Sequence, residues 1–204
     1  MKQAKRVAQD EVKKPDRRVH RSRRTLHEAL LALTVERGYD AVTVQHVLDR
    51  AEVARSTFYA HFRDKEDLLL AGFQEMRGAL PGNLFAVTAA GQSDYPDFGL
   101  ALFRHIDAHR ALAKAFLGST AGNIVYNHLR NILVMETRDW LSSRKGKIGK
   151  GIPLELVVQH VAGSLFALLT WWVDHDFPHT PEKMGTISQQ LIIAGLEGMT
   201  VPAK

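Results

Sequence analysis

Hydrophobic residues recur with helical spacing once the basic beginning of the chain is passed. The pattern starts with Leu26, Ala29, Leu30 and Leu33, at positions i, i+3, i+4 and i+7, and a glycine follows it. This spacing puts the four side chains on one face of a helix, and glycine is a common stop signal. The pattern predicts a first helix over 22–37.

The same spacing returns at Val44, Val47, Leu48 and Ala51. The threonine before this segment can accept a hydrogen bond from a free backbone N–H as a helix N-cap. We therefore predict a second, short helix over 44–50.

The stretch "ARSTFYAHF" at 54–62 combines two aromatic anchors with polar side chains. Phe58 and Phe62 lie one turn apart and can both face the first helix. The polar side chains are then presented outward; they are Arg55, Ser56, Thr57, Tyr59 and His61. Two short helices joined by a tight turn and packed on a longer one predict a helix-turn-helix unit.

The rest of the chain is also predicted to be helical. Asp64 can cap a fourth helix, which the "LPGN" at 80–83 ends. Later helices are expected at about 97–116, 120–142, 153–174 and 182–198, separated by segments rich in Gly, Pro and Ser. Because no segment shows sustained strand alternation, we predict an all-α chain.

Charge is concentrated at the start of the chain. Residues 1–24 hold ten Lys and Arg against three acids, a net charge of +7 within a chain total of +5, which leaves −2 for the other 180 residues. We expect residues 1–20 to form a disordered basic arm. Such an arm can bind nucleic acid or an anionic membrane surface, or it can be only a solvated tail.

Composition indicates a soluble cytoplasmic protein. The chain has no cysteine, which removes disulfides, thiolate nucleophiles and cysteine-based zinc sites. The longest apolar run, Val161–Val173, is shorter than the roughly 20 residues needed to cross a bilayer. No apolar block resembling a secretory signal occurs among the first residues, so we expect no membrane association.

The segment "RTLHEALLALTVERGYDAVTVQHVLDRAEVARSTFYAHFRDKEDLLLAG", at 24–72, resembles the DNA-binding domain of the TetR family of transcriptional regulators. "ERGYDAVTV", "STFYAHFRDKEDLL" and the spacing between them carry the resemblance. It implies a DNA-binding domain at 21–66, a helical dimerisation and ligand-binding domain at 67–204, and about nine helices in total. No cofactor is expected.

Two residues depart from the family pattern. Glu52 stands where members usually have glycine, and Ala54 stands where they usually have a Ser or Thr cap. If residue 52 is left-handed, Glu costs about 1 kcal/mol relative to Gly, and the missing cap costs a similar amount. These changes affect the turn between the two short helices and leave the fold intact.

The third helix carries the candidates for reading DNA. Arg55 has a planar fork that matches the O6 and N7 acceptors of guanine, although a phosphate contact is the alternative. Ser56 and Thr57 can donate to phosphates or approach a thymine methyl. The alternative for Thr57 is a hydroxyl turned back onto its own helix.

The resemblance adds backbone-binding candidates. It implies a sugar-phosphate clamp formed by Tyr59, His61 and Lys65, and contacts to a phosphate or base from Thr43 and Gln45. Thr43 could instead be only a helix cap. The arginines at the junction of arm and first helix can reach a phosphate or the minor groove; they are Arg21, Arg23 and Arg24.

The C-terminal part gives a weaker signal. "GSLFALLTWWVDHDFPHTPEKM" looks like the C-terminal region of one TetR subgroup, and the helix at 153–174 is apolar almost all round, as in helices buried on several sides. We expect a symmetric homodimer through such helices, and hence a palindromic operator. Candidate ligand-binding aromatics, which could equally be core residues, are Phe103, Phe116, Tyr126, Phe166 and Trp171.

Metal and enzyme sites are the rival interpretations. His105 and His109 have the spacing of a chelating pair with Asp107 between them, and "DHDFPH" at 174–179 gathers carboxylates and imidazoles. Neither shows a third ligand at fixed spacing, and solvated surfaces explain both. No P-loop or G-x-S-x-G motif occurs, so we expect no metal site and no catalysis.

The sequence thus predicts a DNA-binding transcriptional regulator, released from a double-stranded operator by a small-molecule effector of unknown identity. A repressor is the expectation and an activator of the same fold the alternative. A membrane-surface or architectural DNA binder that uses only its basic arm is the remaining alternative.

Overall fold

The computed structural model describes residues 17–77, 99–142 and 152–198, which form nine α-helices and no strand. The predicted all-α fold is confirmed. The helices are α1 Arg17–Arg37, α2 Val44–Ala51, α3 Arg55–Tyr59, α4 Lys65–Arg77, α5 Leu100–Ala108, α6 Arg110–Phe116, α7 Gly122–Ser142, α8 Leu154–Asp174 and α9 Pro181–Gly198. A single 3-10 turn, Tyr39–Ala41, lies between α1 and α2.

The first helix is longer than predicted. α1 begins at Arg17, so the end of the expected disordered arm is helical, while 1–16 lie outside the described residues. Arginine is a good helix former, but it adds no apolar position to the pattern. Hydrophobic spacing therefore could not reveal this extension.

The prediction of a single helix over 97–116 is wrong. It is divided into α5 and α6 at His109, whose backbone angles (φ −123°, ψ 31°) are not helical. The His109 N–H donates to the Ile106 carbonyl, and the ring Nδ1 bonds the His105 carbonyl at 2.8 Å. Because apolar residues continue on both sides, periodicity could not detect the break.

The N-terminal core forms where α1 packs against α2 and α4. Phe58 and Phe62 are buried in it, as predicted, together with Leu30 of α1. Leu69 of α4 and Phe116 of α6 belong to the same core. The expected functional division of the chain after residue 66 stays a prediction, since packing continues across that point.

The C-terminal core is built by α5, α7, α8 and α9. α7 packs along α8, and α5 packs on α9. Phe103, Leu133, Leu165 and Trp172 are fully buried at its centre, and the indole N–H of Trp172 donates to the His179 carbonyl at 2.9 Å. This bond ties the end of α8 to the turn that leads into α9.

α8 and α9 each carry an exposed leucine within one chain. Leu156 of α8 has 60% of its surface exposed and Leu191 of α9 has 57%. Among the described residues α8 is also long and apolar enough to cross a bilayer, by length and composition only, and 44% of its apolar window is buried within the fold. α8 was expected to be buried on several sides and to take part in a dimer interface, and within one chain its Leu156 side chain is exposed.

Candidate nucleic-acid interface and effector cavity

The third helix presents the predicted polar face. Arg55, Ser56 and Tyr59 are exposed, and Thr57 and His61 are partly exposed. The Tyr59 ring stands edge-on to the buried Phe58 ring at 5.2 Å, and the Arg55 guanidinium lies over the Tyr59 ring at 5.5 Å. The buried phenylalanine thus fixes the tyrosine, and the tyrosine in turn orients the arginine.

The turn before α3 contains both departures from the family pattern. Glu52 is left-handed (φ 53°, ψ 40°) and ends α2, with its N–H donating to the Leu48 carbonyl. Ala54 occupies the N-cap position of α3, where no side chain accepts a hydrogen bond. The strained geometry considered for residue 52 is therefore present.

The start of α2 holds its own candidates in place. Thr43 and His46 form a reciprocal capping box: the His46 N–H donates to the threonine hydroxyl at 3.2 Å, and the Thr43 N–H donates to the His46 ring Nδ1 at 3.3 Å. Gln45 donates to Asp49 one turn later at 2.7 Å. The predicted cap is confirmed; DNA contacts by Thr43 and Gln45 stay predictions.

Lys65 has a structural role that the sequence did not indicate. Its ammonium donates to the carbonyls of Tyr39 and Val42 at 2.9 and 2.8 Å and lies 4.2 Å from the Tyr39 ring centre. An ammonium has three N–H donors, so the two bonds leave one for a phosphate. The lysine therefore holds the 39–42 turn against α4, and its predicted contact with DNA remains a prediction.

The arginines of α1 lie along its first turns. Arg23 places its guanidinium over the Phe62 ring at 5.3 Å, and the Phe62 ring is 6.3 Å from that of His61. Arg24 pairs with Glu28 at 3.3 Å, and Arg21 is exposed. Arg23 and His61, both predicted to contact the DNA backbone, are therefore each placed beside the Phe62 ring.

An apolar cavity of about 140 Å³ lies between the two cores. Leu31 of α1 and Phe73 of α4 contribute one wall. Leu112 and Phe116 of α6 and Leu129 of α7 contribute others, and α5 and α8 complete it. The cavity therefore contacts both the helix-turn-helix unit and the C-terminal helices.

Four lining residues carry polar groups: His105, His109, Tyr126 and Thr170. Burial, together with the neighbouring His109, lowers the pKa of His105 below its ordinary value. Burial, with a smaller effect of Asp174, raises the pKa of Tyr126. Both shifts favour uncharged side chains in this part of the cavity.

Only two of the five predicted ligand-binding aromatics, Phe116 and Tyr126, line the cavity. Phe166 packs edge-on behind Tyr126 at 5.9 Å. Phe103 is buried against Trp172 at 5.4 Å. Trp171 is exposed and stacks on His175 at 4.6 Å.

Phe103, Phe166 and Trp171 therefore lie outside this cavity, because composition does not tell which side of a helix faces a gap, and ligand binding by any of the five aromatics stays a prediction. The cavity residues missed as ligand contacts include Phe73, His105 and His109. The histidine spacing was visible in the sequence but was considered only as a metal site. Asp107, between the histidines, pairs instead with Arg110. In 17–77, 99–142 and 152–198, no three His, Asp or Glu residues are grouped to hold a metal.

Comparison with known proteins assigns the chain to a family. The profile described as "Bacterial regulatory proteins, tetR family" matches residues 26–71, and a "Transcriptional regulator C-terminal region" profile matches 94–194. The first match contains α2, α3 and the turn between them, and the second contains the cavity helices α5–α8. This chain belongs to the TetR family of transcriptional regulators.

Two curated relatives illustrate the similarity. The fatty acid metabolism regulator protein of Bacillus subtilis is 21% identical over 179 residues, which cover 83% of this chain and 92% of that protein. The transcriptional repressor KstR2 of Mycobacterium tuberculosis is 23% identical over 193 residues, covering 89% and 94%. Both alignments extend through the helix-turn-helix unit and the C-terminal helices.

A solved structure supports the same TetR fold. FadR of Bacillus subtilis, determined with stearoyl-CoA, superposes with a TM-score of 0.61 at 22% identity, covering 84% of this chain and 98% of that one. The chain is thus a DNA-binding regulator of the TetR type. Within its helix-turn-helix unit, α3 is the helix that presents the polar face.

Proposed function

We propose that this TetR-family regulator acts in the cytoplasm as a homodimeric repressor that binds a palindromic operator through α3 of each subunit. The exposed face of Arg55, Ser56 and Tyr59 supports this role, because an α-helix with such groups fits the major groove. The exposed Leu156 and Leu191 support dimerisation, since a second copy would cover this apolar surface of α8 and α9.

Release from DNA is proposed to follow binding of an apolar small molecule in the cavity. The observation that carries this proposal is that Leu31, on α1 of the DNA-binding domain, and Phe73, on the helix α4 that leads out of that domain, line the same cavity as the C-terminal helices. A ligand that fits one relative arrangement of these helices better shifts the population towards it. By reciprocity, operator DNA then weakens the ligand's affinity by the same factor.

The relatives support the class of effector and the direction of regulation. One is named for fatty acid metabolism, another is solved with stearoyl-CoA, and a third is named a repressor. The cavity suits the apolar acyl chain of such ligands because ten of its fourteen lining residues are apolar. An activator of the same fold differs only in its effect on the polymerase.

The test is release of an operator fragment, selected from a random library, by fatty acids, stearoyl-CoA and alkylphenols. Leu129→Trp would fill the cavity without touching α3. We expect this variant to bind DNA as the wild type does and to resist release. Release of the variant by every compound that releases the wild type would contradict the proposed cavity. Transcription in vitro from the operator, reduced by the protein and restored by ligand, distinguishes repressor from activator.

A further inference from the structure

The polar groups of the cavity are gathered on α5, at the α5–α6 break and on α7. Of the four polar lining residues, Thr170 donates its hydroxyl to the Phe166 and Ala167 carbonyls, each at 3.0 Å, so its donor is used within α8. His105, His109 and Tyr126 remain as side chains with ring or phenol groups that a ligand can meet, while Thr170 keeps only the acceptor capacity of its hydroxyl oxygen. His109 is exposed and also lines the cavity, which places it at the rim.

A backbone hydrogen bond fixes the chemistry of the His109 ring. Its Nδ1 lies 2.8 Å from the His105 carbonyl oxygen. A carbonyl can only accept, so Nδ1 carries the proton and the neutral ring keeps Nε2 as an acceptor. The neutral His109 therefore offers a ligand an acceptor and no ring N–H donor.

The surroundings favour the uncharged form of the His105 imidazole. The His105 and His109 ring centroids are 4.6 Å apart, and two positive charges at that distance repel each other. Among the fourteen described residues that line the cavity, none is Asp, Glu, Lys or Arg. The nearby acids are engaged elsewhere or act on other groups: Asp107 pairs with Arg110, Asp176 pairs with Lys114, and Asp174 acts on Tyr126.

From this arrangement we infer that the cavity selects an apolar molecule carrying one uncharged O–H group, which donates to Nε2 of His109 while the apolar body lies among the inner side chains. Alcohols, phenols and protonated carboxylic acids share this chemistry. An ether or ester lacks the donor. A carboxylate lacks it too, and would require one of the imidazoles to take up a proton. The inference rests on the proposed effector site and specifies which ligands that site prefers.

The test uses three probes with the same apolar body: 4-heptylphenol, 4-heptylanisole and 4-heptylbenzoic acid, with binding to the full chain measured by calorimetry at neutral pH. We expect the phenol to bind about fivefold to tenfold more tightly than the anisole, the gain of one hydrogen bond. The acid, ionised at neutral pH, should bind more weakly than the phenol and gain affinity as the pH falls.

His109→Phe keeps a ring of similar size and removes the acceptor. The ratio of the phenol affinity to the anisole affinity should then fall to about one. The affinity for the anisole should be retained, and this retained binding shows that the variant is folded. His175→Phe is the matched control, since His175 stacks on the exposed Trp171 and does not line the cavity. Its phenol-to-anisole ratio should equal that of the wild type.

The outcomes separate the two proposals. Equal affinities of phenol and anisole for the wild type, or an unchanged ratio in His109→Phe, would overturn the O–H preference. Tighter binding of the acid than the phenol at neutral pH would also overturn it and would indicate an anion site. If these ligands still release the operator, the proposed function survives. Failure of every probe to bind would overturn the O–H preference, whereas the proposed function would fail only if fatty acids and stearoyl-CoA also left the operator bound.

Discussion

The carboxylate of Asp40 accepts hydrogen bonds from the backbone N–H of Thr120, at 3.2 Å, and from the threonine hydroxyl. Asp40 belongs to the 3-10 turn of the DNA-binding unit, and Thr120 stands just before α7, a wall of the cavity. Beside this connection, the Phe116 ring packs on the Tyr39 ring at 6.1 Å. The two units are therefore joined by a polar contact next to an aromatic one.

This contact predicts a pH dependence of stability. The Thr120 hydrogen bonds lower the pKa of Asp40 below its ordinary value of 3.8. A carboxyl whose pKa is depressed in the folded state contributes stability above its unfolded pKa and loses it as the pH falls through the folded pKa. Asp40→Asn should therefore have a lower melting temperature than the wild type at pH 7. Below pH 4 this difference in melting temperature should become smaller.

The control for this prediction is Thr120→Val, which removes the hydroxyl donor and keeps the carboxylate and the backbone N–H. Its melting temperature at pH 7 should lie between those of the wild type and Asp40→Asn. A melting difference between wild type and Asp40→Asn that stays constant from pH 7 to pH 3 would show that the Asp40 carboxylate does not stabilise the fold.

The left-handed Glu52 predicts a stabilising substitution. Glycine adopts this conformation without the steric cost that a β-carbon brings, so Glu52→Gly should raise the free energy of unfolding by about 1 kcal/mol. Glu28→Gly, at an exposed position within α1, is the matched control and should lower it by about 1 kcal/mol. Urea denaturation measures both, and destabilisation by Glu52→Gly would contradict the backbone geometry.

Gly72 of α4 lies against the imidazole of His27 in α1. A β-carbon at residue 72 would overlap the imidazole of the buried His27. Gly72→Ala should therefore destabilise the protein by about 1–3 kcal/mol, the usual cost of overpacking a core. Adding His27→Ala should recover part of this loss, because the smaller side chain makes room. Equal effects of Gly72→Ala with and without His27 would exclude the proposed overlap.

Much of the DNA-binding unit was predictable because its side chains obey a local period. Phe58 and Phe62 lie one turn apart, and a helix can bury both only by turning Arg55 and Tyr59 outward. The Thr43 cap was equally local. The structural role of Lys65 was not predictable in this way. Its carbonyl partners lie 23 and 26 residues earlier in the chain, and no sequence pattern connects the lysine to them.

The cavity was less predictable than the DNA-binding unit. Its walls come from six helices, and a gap between helices depends on how they pack rather than on which aromatics are present. Composition alone does not distinguish Phe103 from Phe116, yet Phe103 is buried in the C-terminal core and Phe116 lines the cavity. The break at His109, which places its ring at the rim, interrupts no hydrophobic period.

The central claim, sequence-specific DNA reading by α3, is tested most directly by selecting bound fragments from a random double-stranded DNA library. Arg55→Ala is compared with Arg104→Ala, a control in the C-terminal core region whose arginine pairs with Glu182. We predict that wild type and Arg104→Ala enrich one palindrome. Arg55→Ala should lose preference at one base position in each half-site, a discrimination of about 1–3 kcal/mol. Retention of DNA without any enriched sequence, or an unaltered preference in Arg55→Ala, would contradict this account.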